Sequence, residues 1–254
     1  MLIDSSKFAS DGYLIIDLID TGIDFDRIIF DMDKINSSEN KKLNPKIYHY
    51  NEHPRLIEGW RRSDEIKKLA LEQEVFTTLE SLYKAKPIAF STINFTRGTE
   101  QPLHSDYFHF GSKPELMLAG VWVALEDIDK DAGPLSIVPG SHLGPIILPE
   151  DLGFSKPPTS NLEVKKNYTI YEQWVRDYVD NSGLETFTPE LKKGQALIWA
   201  ANLLHGAFGI KNKKLTRYSQ VTHYHFEDCD FFYNPNFSSR AKYVHRDIEA
   251  SRIY

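Results

Sequence analysis

The 254-residue chain has few of the features that mark secreted, membrane and nucleic-acid-binding proteins. Its single cysteine, Cys229, cannot form an internal disulfide, which favours a reducing compartment. No apolar run is long enough to span a bilayer, and the N-terminal sequence has no basic segment leading into an apolar signal-peptide core. The net charge is −6, without a basic tract, which argues against nucleic acid and membranes as main partners. These absences predict a cytoplasmic globular protein.

No repeat or Gly/Ser linker divides the sequence, so we expect one domain over residues 1–254. Helical periodicity predicts helices from Ser63 to about Lys84 and from Thr169 to Asp180. Residues 144–190, rich in proline and polar side chains, look like an insertion or lid. The predicted strands are Ile88–Phe95, Met117–Leu125, Leu135–Val138, Ala196–Ala200 and Thr216–Phe226. Helices first and short strands afterwards, without regular β–α alternation, predict a mainly β sandwich or barrel with flanking helices.

The nine histidines are the most informative residues of the composition. Residues i and i+2 of a strand point to the same face, so His-x-Asp or His-x-Glu offers a metal two ligands. A third ligand from a distant strand completes the two-histidine, one-carboxylate triad of non-haem Fe(II) oxygenases. The short pattern is weak by itself, because it occurs three times here. The three matches are His104-Ser105-Asp106, His225-Phe226-Glu227 and His245-Arg246-Asp247.

The context of each match favours the first. His104 and Asp106 follow a predicted strand and a turn-rich segment, and His205 lies far enough downstream to reach them from another strand. The other two pairs lie near the C-terminus, where His245 is the last histidine and few residues remain to supply a third ligand. Against this stands the ordinary alternative that His104 is a hydrogen-bonded loop histidine and that Asp106 caps a turn.

Arg217 opens the last predicted strand, twelve residues after His205. Strand alternation puts Arg217, Ser219 and His223 on one face, which would project a guanidinium and a hydroxyl into the cavity of the metal. A guanidinium forms two parallel hydrogen bonds with a carboxylate, so this pairing predicts a carboxylate ligand. The alternative is a surface arginine within a lysine-rich turn.

Five short segments follow one another along the chain: Gln101–Asp106, Gly120–Leu125, Gly133–His142, Lys193–Trp199 and His205-Gly206 with Arg217 downstream. In this order they resemble the phytanoyl-CoA dioxygenase family, whose members are Fe(II)- and 2-oxoglutarate-dependent oxygenases. The resemblance covers about residues 88–226, and the segment from Phe8 to Ile16 is similar to the family's first helix and strand. It implies a double-stranded β-helix, that is, a cupin-like jelly roll.

The resemblance also implies roles for individual residues. His104, Asp106 and His205 would bind Fe(II), and Arg217, helped by Ser219, would bind the distal carboxylate of 2-oxoglutarate. Asn94 and Trp122 match positions that lie near the co-substrate in relatives, although Trp122 is equally suited to the core. His142 belongs to the family pattern but is expected to be structural.

With O2 as the other co-substrate, the implied reaction is hydroxylation of a small organic molecule with release of succinate and CO2. Family relatives that halogenate replace the carboxylate of the first motif by a small residue, whereas Asp106 is present here. Two alternatives stay open: a jelly-roll metalloprotein with non-oxygenase chemistry, and a non-catalytic ligand-binding relative. A dicarboxylate clamp at Arg217 would favour the oxygenase over a hydrolase, and a complete ligand set would favour an enzyme over a binding protein.

Overall fold

The computed structural model describes residues 4–37, 47–50, 53–234 and 247–249. Its largest sheet has seven antiparallel strands in the order β1-β8-β6-β10-β4-β3-β2. These strands are β1 Tyr13–Asp17, β2 Ile47–Tyr50, β3 His53–Ile57, β4 Pro87–Phe95, β6 Leu118–Ala124, β8 Gln195–Ala200 and β10 Ser219–Phe226. Strands distant in sequence therefore lie side by side, as the predicted barrel or sandwich requires.

Four shorter strands form two antiparallel pairs, β5 with β11 and β7 with β9. Their bounds are β5 Phe110–Lys113, β7 Leu135–Ile137, β9 His205–Ala207 and β11 Asp230–Tyr233. The helices are α1 Ser5–Asp11, α2 Phe25–Ser37, α3 Asp64–Ala70, α4 Gln73–Tyr83 and α5 Asn161–Ser182. The two pairs and the large sheet make up the double-stranded β-helix, which confirms the predicted jelly roll.

The large sheet is buried on both faces, and strand alternation divides its side chains between two cores. On β6, Val121 and Val123 pack in the cluster that includes the apolar side chains of α2, α3 and α4. Trp122 and Ala124 point the other way and pack in a second cluster with residues of β7 and β8. All seven residues of β6 are consequently buried, which explains why this strand reads as a continuous apolar run.

The predicted helix from Ser63 to Lys84 is two helices, α3 and α4. Ser63 caps α3 as predicted, because its hydroxyl accepts a hydrogen bond from the Ile66 N–H. The chain leaves the helical conformation at Leu71 and Glu72, where Glu72 is extended and its carboxylate caps α4 at Glu74. Because the helix is interrupted at this point, α3 and α4 both bury their apolar side chains in the same cluster.

Helix α5 is longer than predicted at its N-terminal end. Ser160 caps it through the Glu163 N–H, nine residues before the predicted start at Thr169, and Gly183 ends it in the left-handed conformation as predicted. The apolar stripe of Tyr171 and Val175 continues back through Tyr168 to Val164 at helical spacing, so the predicted start at Thr169 was too late. Within residues 144–190, α5 follows a short 3-10 helix at Pro149–Leu152.

The last predicted strand begins at Ser219 rather than Thr216, so Arg217 lies just before β10. Its backbone still continues the ladder, because the Arg217 N–H donates to the Thr96 carbonyl at 2.9 Å. The helix and strand expected near Phe8 to Ile16 are present as α1 and β1. Among the described residues, no helix has the length and apolarity needed to cross a membrane.

Candidate metal centre

Two backbone segments bring the three predicted ligands together at one end of the jelly roll. The His104 N–H donates to the His205 carbonyl at 2.8 Å, and the His205 N–H donates back to the His104 carbonyl at 2.9 Å. Asp106 opens a 3-10 helix two residues after His104, with its N-terminus capped by the Ser105 hydroxyl. The ligand atoms of His104, Asp106 and His205 all lie within 4.8 Å of one another, which is the spacing that a single metal ion needs.

The hydrogen bonds of both imidazoles fix the nitrogen that faces the metal. His104 Nδ1 donates to the Pro102 carbonyl at 2.9 Å, and His205 Nδ1 donates to the Leu203 carbonyl at 3.0 Å. A carbonyl oxygen only accepts, so both Nδ1 atoms carry the proton. Each Nε2 atom therefore keeps its lone pair for a metal, and the backbone partners hold both rings in place.

The carboxylate of Asp106 is held in an equally defined way. Its Oδ2 atom accepts a hydrogen bond from Trp199 Nε1 at 2.7 Å and lies 3.5 Å from His223 Nε2. Its Oδ1 atom lies 3.6 Å from His205 Nε2. Oδ2 is thus held by a hydrogen bond within the protein, and Oδ1 is directed towards the His205 imidazole.

The charge states of His104 and Asp106 suit a divalent cation. Burial, followed by the nearby His205, holds the pKa of His104 well below its usual value, so its imidazole is neutral. Burial alone would raise the pKa of Asp106, but the imidazoles of His205 and His223 outweigh it and keep that pKa far below its ordinary value. Two imidazoles and one carboxylate, with positions left open, fit Fe(II).

A cavity of about 260 Å³ opens beside the three ligands. Its volume lies near the lower end of the range for ligand pockets, about 300 to 1,000 Å³. Among the described residues, Asp106 is the only carboxylate in the cavity lining, against two arginines. The polar and aromatic side chains of the lining include Arg55, Phe95, Gln101, His104, Asp106, His109, Trp122, Tyr168, Trp199, His205, Arg217 and His223.

Arg217 lines this cavity and is 2% exposed. Its guanidinium carbon lies 5.6 Å from the centre of the Phe95 ring and 5.7 Å from that of Trp122. Nη2 donates to the Arg97 carbonyl at 3.4 Å, while Nε has no hydrogen-bond partner among the described residues. Burial, and then the charge of Arg55, lowers the pKa of Arg217 to about 9. A buried cation with an unpaired donor suits an anionic ligand.

Trp122 lines the cavity and is also part of the core between the sheets, so both of its expected roles are compatible with its position. Ser219 is fully buried, and its hydroxyl donates to the Arg217 carbonyl at 3.5 Å. Ser219 is not among the residues that line the cavity. The Ser219 side chain therefore lies next to the backbone of Arg217 and outside the cavity lining.

Asn94 is not brought to the cavity, which corrects the position inferred from the resemblance. On β4 it is Ile93 and Phe95 that line the cavity, so alternation turns Asn94 to the opposite face of the sheet. There its Nδ2 donates to Gln220 Oε1 at 3.0 Å, and Gln220 in turn donates to the Ile66 carbonyl of α3. Asn94 contributes to a polar contact under the helices.

Two other histidines considered in the sequence, His225 and His142, lie away from the metal centre. His225 is buried beside Phe90 and Phe231, outside the cavity lining, so the pair with Glu227 does not join the metal centre. His245 lies outside the described residues. His142 has the structural position expected of it, with Nε2 3.1 Å from the Ala9 carbonyl at the end of α1.

Three further residues shape the centre, although no sequence pattern predicted a role for them: Arg55, Gln101 and Trp199. Tyr168, which belongs to the predicted cover segment 144–190, also lines the cavity. Gln101 and Trp199 lie within two of the segments that resemble the family, Gln101–Asp106 and Lys193–Trp199. The resemblance therefore included their positions but did not predict their contacts. No pattern in the sequence links Arg55 or Tyr168 to the metal ligands, because β3 and α5 meet the cavity only through the fold.

Helix α5 lies within the segment that was predicted to cover the cavity, and it contributes a side chain to the cavity wall. Tyr168 lines the cavity, while the Tyr171 hydroxyl accepts a hydrogen bond from the Ser105 N–H at 2.7 Å. The ring of Tyr171 stacks on Phe108 with centres 3.7 Å apart, within a cluster that also holds Phe154 and Trp174. Helix α5 is therefore packed onto the loop that carries Asp106.

The fold and the centre define a class: jelly-roll proteins with a two-histidine, one-carboxylate metal site. Comparison with protein families gives a match over residues 20–219 to the model described as phytanoyl-CoA dioxygenase (PhyH). The chain belongs to this family.

Similar proteins are found among both sequences and structures. The chain is 29% identical over 133 residues to the peroxisomal phytanoyl-CoA dioxygenase of Rattus norvegicus, over 52% of this chain and 36% of that protein. It is 25% identical over 158 residues to a probable phytanoyl-CoA dioxygenase of Caenorhabditis elegans, over 61% of this chain and 45% of that one. The matched part of the chain thus spans less than half the length of these curated relatives.

Two solved structures share the fold over most of the chain. EctD from S. alaskensis, crystallised with 2-oxoglutarate and 5-hydroxyectoine, has a TM-score of 0.68 at 15% identity, over 97% of this chain and 84% of that one. The non-haem α-ketoglutarate-dependent epimerase SnoN from nogalamycin biosynthesis has a TM-score of 0.67 at 19% identity, over 91% and 84%. At these identities the likeness shows the fold alone.

Proposed function

We propose that the protein is an Fe(II)- and 2-oxoglutarate-dependent oxygenase that hydroxylates a C–H bond of a small organic molecule. The observation that carries this proposal is the presence of two sites in one cavity. One is the metal centre of His104, Asp106 and His205, and the other is the buried cation of Arg217. A metal-dependent hydrolase has no need of a buried guanidinium beside its metal, whereas a dicarboxylate co-substrate needs one group for each end.

The three ligand side chains would hold the iron on one side and leave the cavity side for ligands. Bound there, Fe(II) with 2-oxoglutarate and O2 supplies the oxidation, in which one oxygen atom enters succinate and the other the hydroxylated product, with loss of CO2. Asp106 completes the ligand set, which favours oxygen transfer to the substrate over halogenation. Arg217 would orient the distal carboxylate, with Phe95 and Trp122 shielding that contact from water.

Residues 144–190 would act as the cover of the cavity in a single domain formed by residues 1–254. This is supported by Tyr168, which α5 contributes to the cavity wall, and by the packing of Tyr171 behind Asp106. The cover excludes bulk water from the oxidising centre, which protects the reaction from unproductive turnover.

We also propose a cytoplasmic location and a small-molecule substrate, without nucleic acid or membrane as partner. The single cysteine and the net charge of −6 support this, and a reducing compartment keeps iron ferrous. The relatives named as peroxisomal make a peroxisomal address the alternative to test.

The decisive experiment is an anaerobic titration of the purified protein with Fe(II) and then with 2-oxoglutarate. We expect one iron and one 2-oxoglutarate per chain, followed by succinate formation when O2 is admitted. Arg217→Gln should keep iron binding and weaken 2-oxoglutarate binding by about 10- to 100-fold, the value of a charge-assisted hydrogen bond. Tight iron binding without any 2-oxoglutarate binding would favour a jelly-roll metalloprotein with other chemistry. Absence of both would favour a non-catalytic relative.

A further inference from the structure

The cavity contains a second arginine, which the proposed co-substrate site does not use. Arg55 comes from β3, whose backbone pairs with β4 so that Arg55 lies opposite Phe95. Its guanidinium carbon is 5.4 Å from the centre of the Phe95 ring, which the Arg217 guanidinium also approaches. Two guanidinium groups therefore share one small cavity, although like charges repel each other.

The two arginines differ in their surroundings. Arg217 is 2% exposed and lies between aromatic rings, whereas Arg55 is half-buried and hydrogen-bonded to polar side chains. Arg55 Nη2 donates to Gln101 Oε1 at 3.0 Å, and Gln101 Nε2 lies 3.4 Å from the Tyr168 hydroxyl. The Tyr168 hydroxyl lies 3.4 Å from His109 Nε2. We call these four residues, Arg55, Gln101, Tyr168 and His109, the polar wall.

Gln101 connects the polar wall to the metal centre. Its Nε2 lies 3.2 Å from His104 Nε2, and it donates there because the proton of this imidazole is on Nδ1. A metal ion needs the same lone pair of His104, so the Gln101 amide then requires a new acceptor. An oxyanion held by the neighbouring Arg55 would supply that acceptor.

We propose that Arg55 and Gln101 form a second oxyanion site, separate from Arg217, that binds a carboxylate or phosphate group of the substrate. This inference rests on the proposed oxygenase function and names its substrate class: a small organic anion. The planar guanidinium and the amide offer several N–H donors to one anionic group, beside the metal ligand His104. A substrate anchored at this wall would present its C–H bond to the metal from the side of α5.

The test compares pairs of small probes that differ in charge. We would use hexanoate with hexanamide, benzoate with benzamide, and phenyl phosphate with phenol, each added to the anaerobic protein with Fe(II) and 2-oxoglutarate. Binding is followed by the thermal unfolding temperature and by the visible absorption of the iron complex. At least one anion should bind more tightly than its neutral partner, and the carboxylates and phosphate are separate arms.

Substitutions then assign that preference to a residue. Arg55→Gln should weaken binding of the preferred anion by about 10- to 100-fold and change the 2-oxoglutarate dissociation constant by less than about threefold. Arg62→Gln, which removes the same charge from an exposed position beside α3, should match the wild type in both measurements. If Arg55→Gln fails to fold, Gln101→Leu provides the second test and should weaken anion binding likewise.

Two results would overturn the proposal. One is equal binding of anions and their neutral partners, including no binding of either. The other is a loss of 2-oxoglutarate affinity in Arg55→Gln as large as in Arg217→Gln, which would assign Arg55 to the co-substrate. If the wild type does not bind 2-oxoglutarate at all, the proposed function fails, but the anion preference of wild type over Arg55→Gln can still be measured with the protein alone.

Discussion

The hydrogen bond from Trp199 to Asp106 should control how tightly the protein holds its metal. Trp199 is 1% exposed, and its Nε1 donates to Asp106 Oδ2 at 2.7 Å. Its ring also lies against His205, with centres 4.4 Å apart. One indole therefore orients two of the three ligands. The substitution Trp199→Phe removes the N–H and keeps most of the ring.

The expected loss follows from the partner's charge. A hydrogen bond to a charged group contributes about 1.5 to 3 kcal/mol. Since about 1.4 kcal/mol corresponds to a tenfold change in affinity, Trp199→Phe should raise the Fe(II) dissociation constant by about 10- to 100-fold. The freed Oδ2 atom of Asp106 would also be able to rotate towards the metal, which should change the visible spectrum of a bound Co(II) probe.

The assay is an anaerobic Fe(II) titration in competition with a chelator, accompanied by denaturant unfolding. Trp60→Phe is the matched control, because Trp60 is fully buried and its Nε1 donates to the Glu58 carboxylate at 3.2 Å, outside the metal centre. Both variants should lose stability, but only Trp199→Phe should lose metal affinity. Equal metal affinity in Trp199→Phe and the wild type would refute the reasoning.

Three other predictions concern the same centre. Gly120→Ala should reduce metal affinity in the manner of Trp199→Phe, because a Cβ at Gly120 would lie 2.3 Å from the indole ring; an unchanged affinity, by the same titration, would contradict this. His205→Ala should abolish iron binding and succinate formation while His225→Ala leaves both intact, and the opposite result would mean that the ligand pair is wrong. The metal-free protein should lose stability as the pH falls below about 6.5, because His104 has a lowered pKa and the unfolded state takes up the proton first. This contribution is at most about 1.4 kcal/mol per pH unit, and urea unfolding at pH 7 and pH 5 measures it, with a pH-independent stability as the contrary result.

The fold class could be predicted because the strands can be recognised from their local sequence. Val, Ile, Tyr and Phe between glycine and proline turns marked β4, β6, β8 and β10 to within a few residues. The errors concerned the bounds of helices, and one of them arose because tertiary contacts override the local apolar pattern. The turn at Leu71 and Glu72 splits one apolar stripe into two helices. The late predicted start of α5 was a different error, because Val164 and Tyr168 continue its apolar spacing.

Asn94 shows the limit of transferring a role by alignment. Its position ten residues before His104 matches relatives, but the side of the sheet on which a residue lies depends on strand register, where one residue reverses the face. Here Ile93 and Phe95 face the cavity, and Asn94 faces the helices.

The sequence by itself was sufficient to predict His104, Asp106 and His205 as metal ligands and Arg217 as the residue for a co-substrate carboxylate, because residue types suited to that chemistry and their order along the chain can be read locally. Only the tertiary structure decided which atoms face the metal and which side chains hold the ligands. The Nδ1 bonds of His104 and His205 and the indole of Trp199 depend on strand pairing. The same holds for Arg55 and Tyr168, since β3 and α5 are remote in sequence and meet only where the packed sheets enclose the cavity.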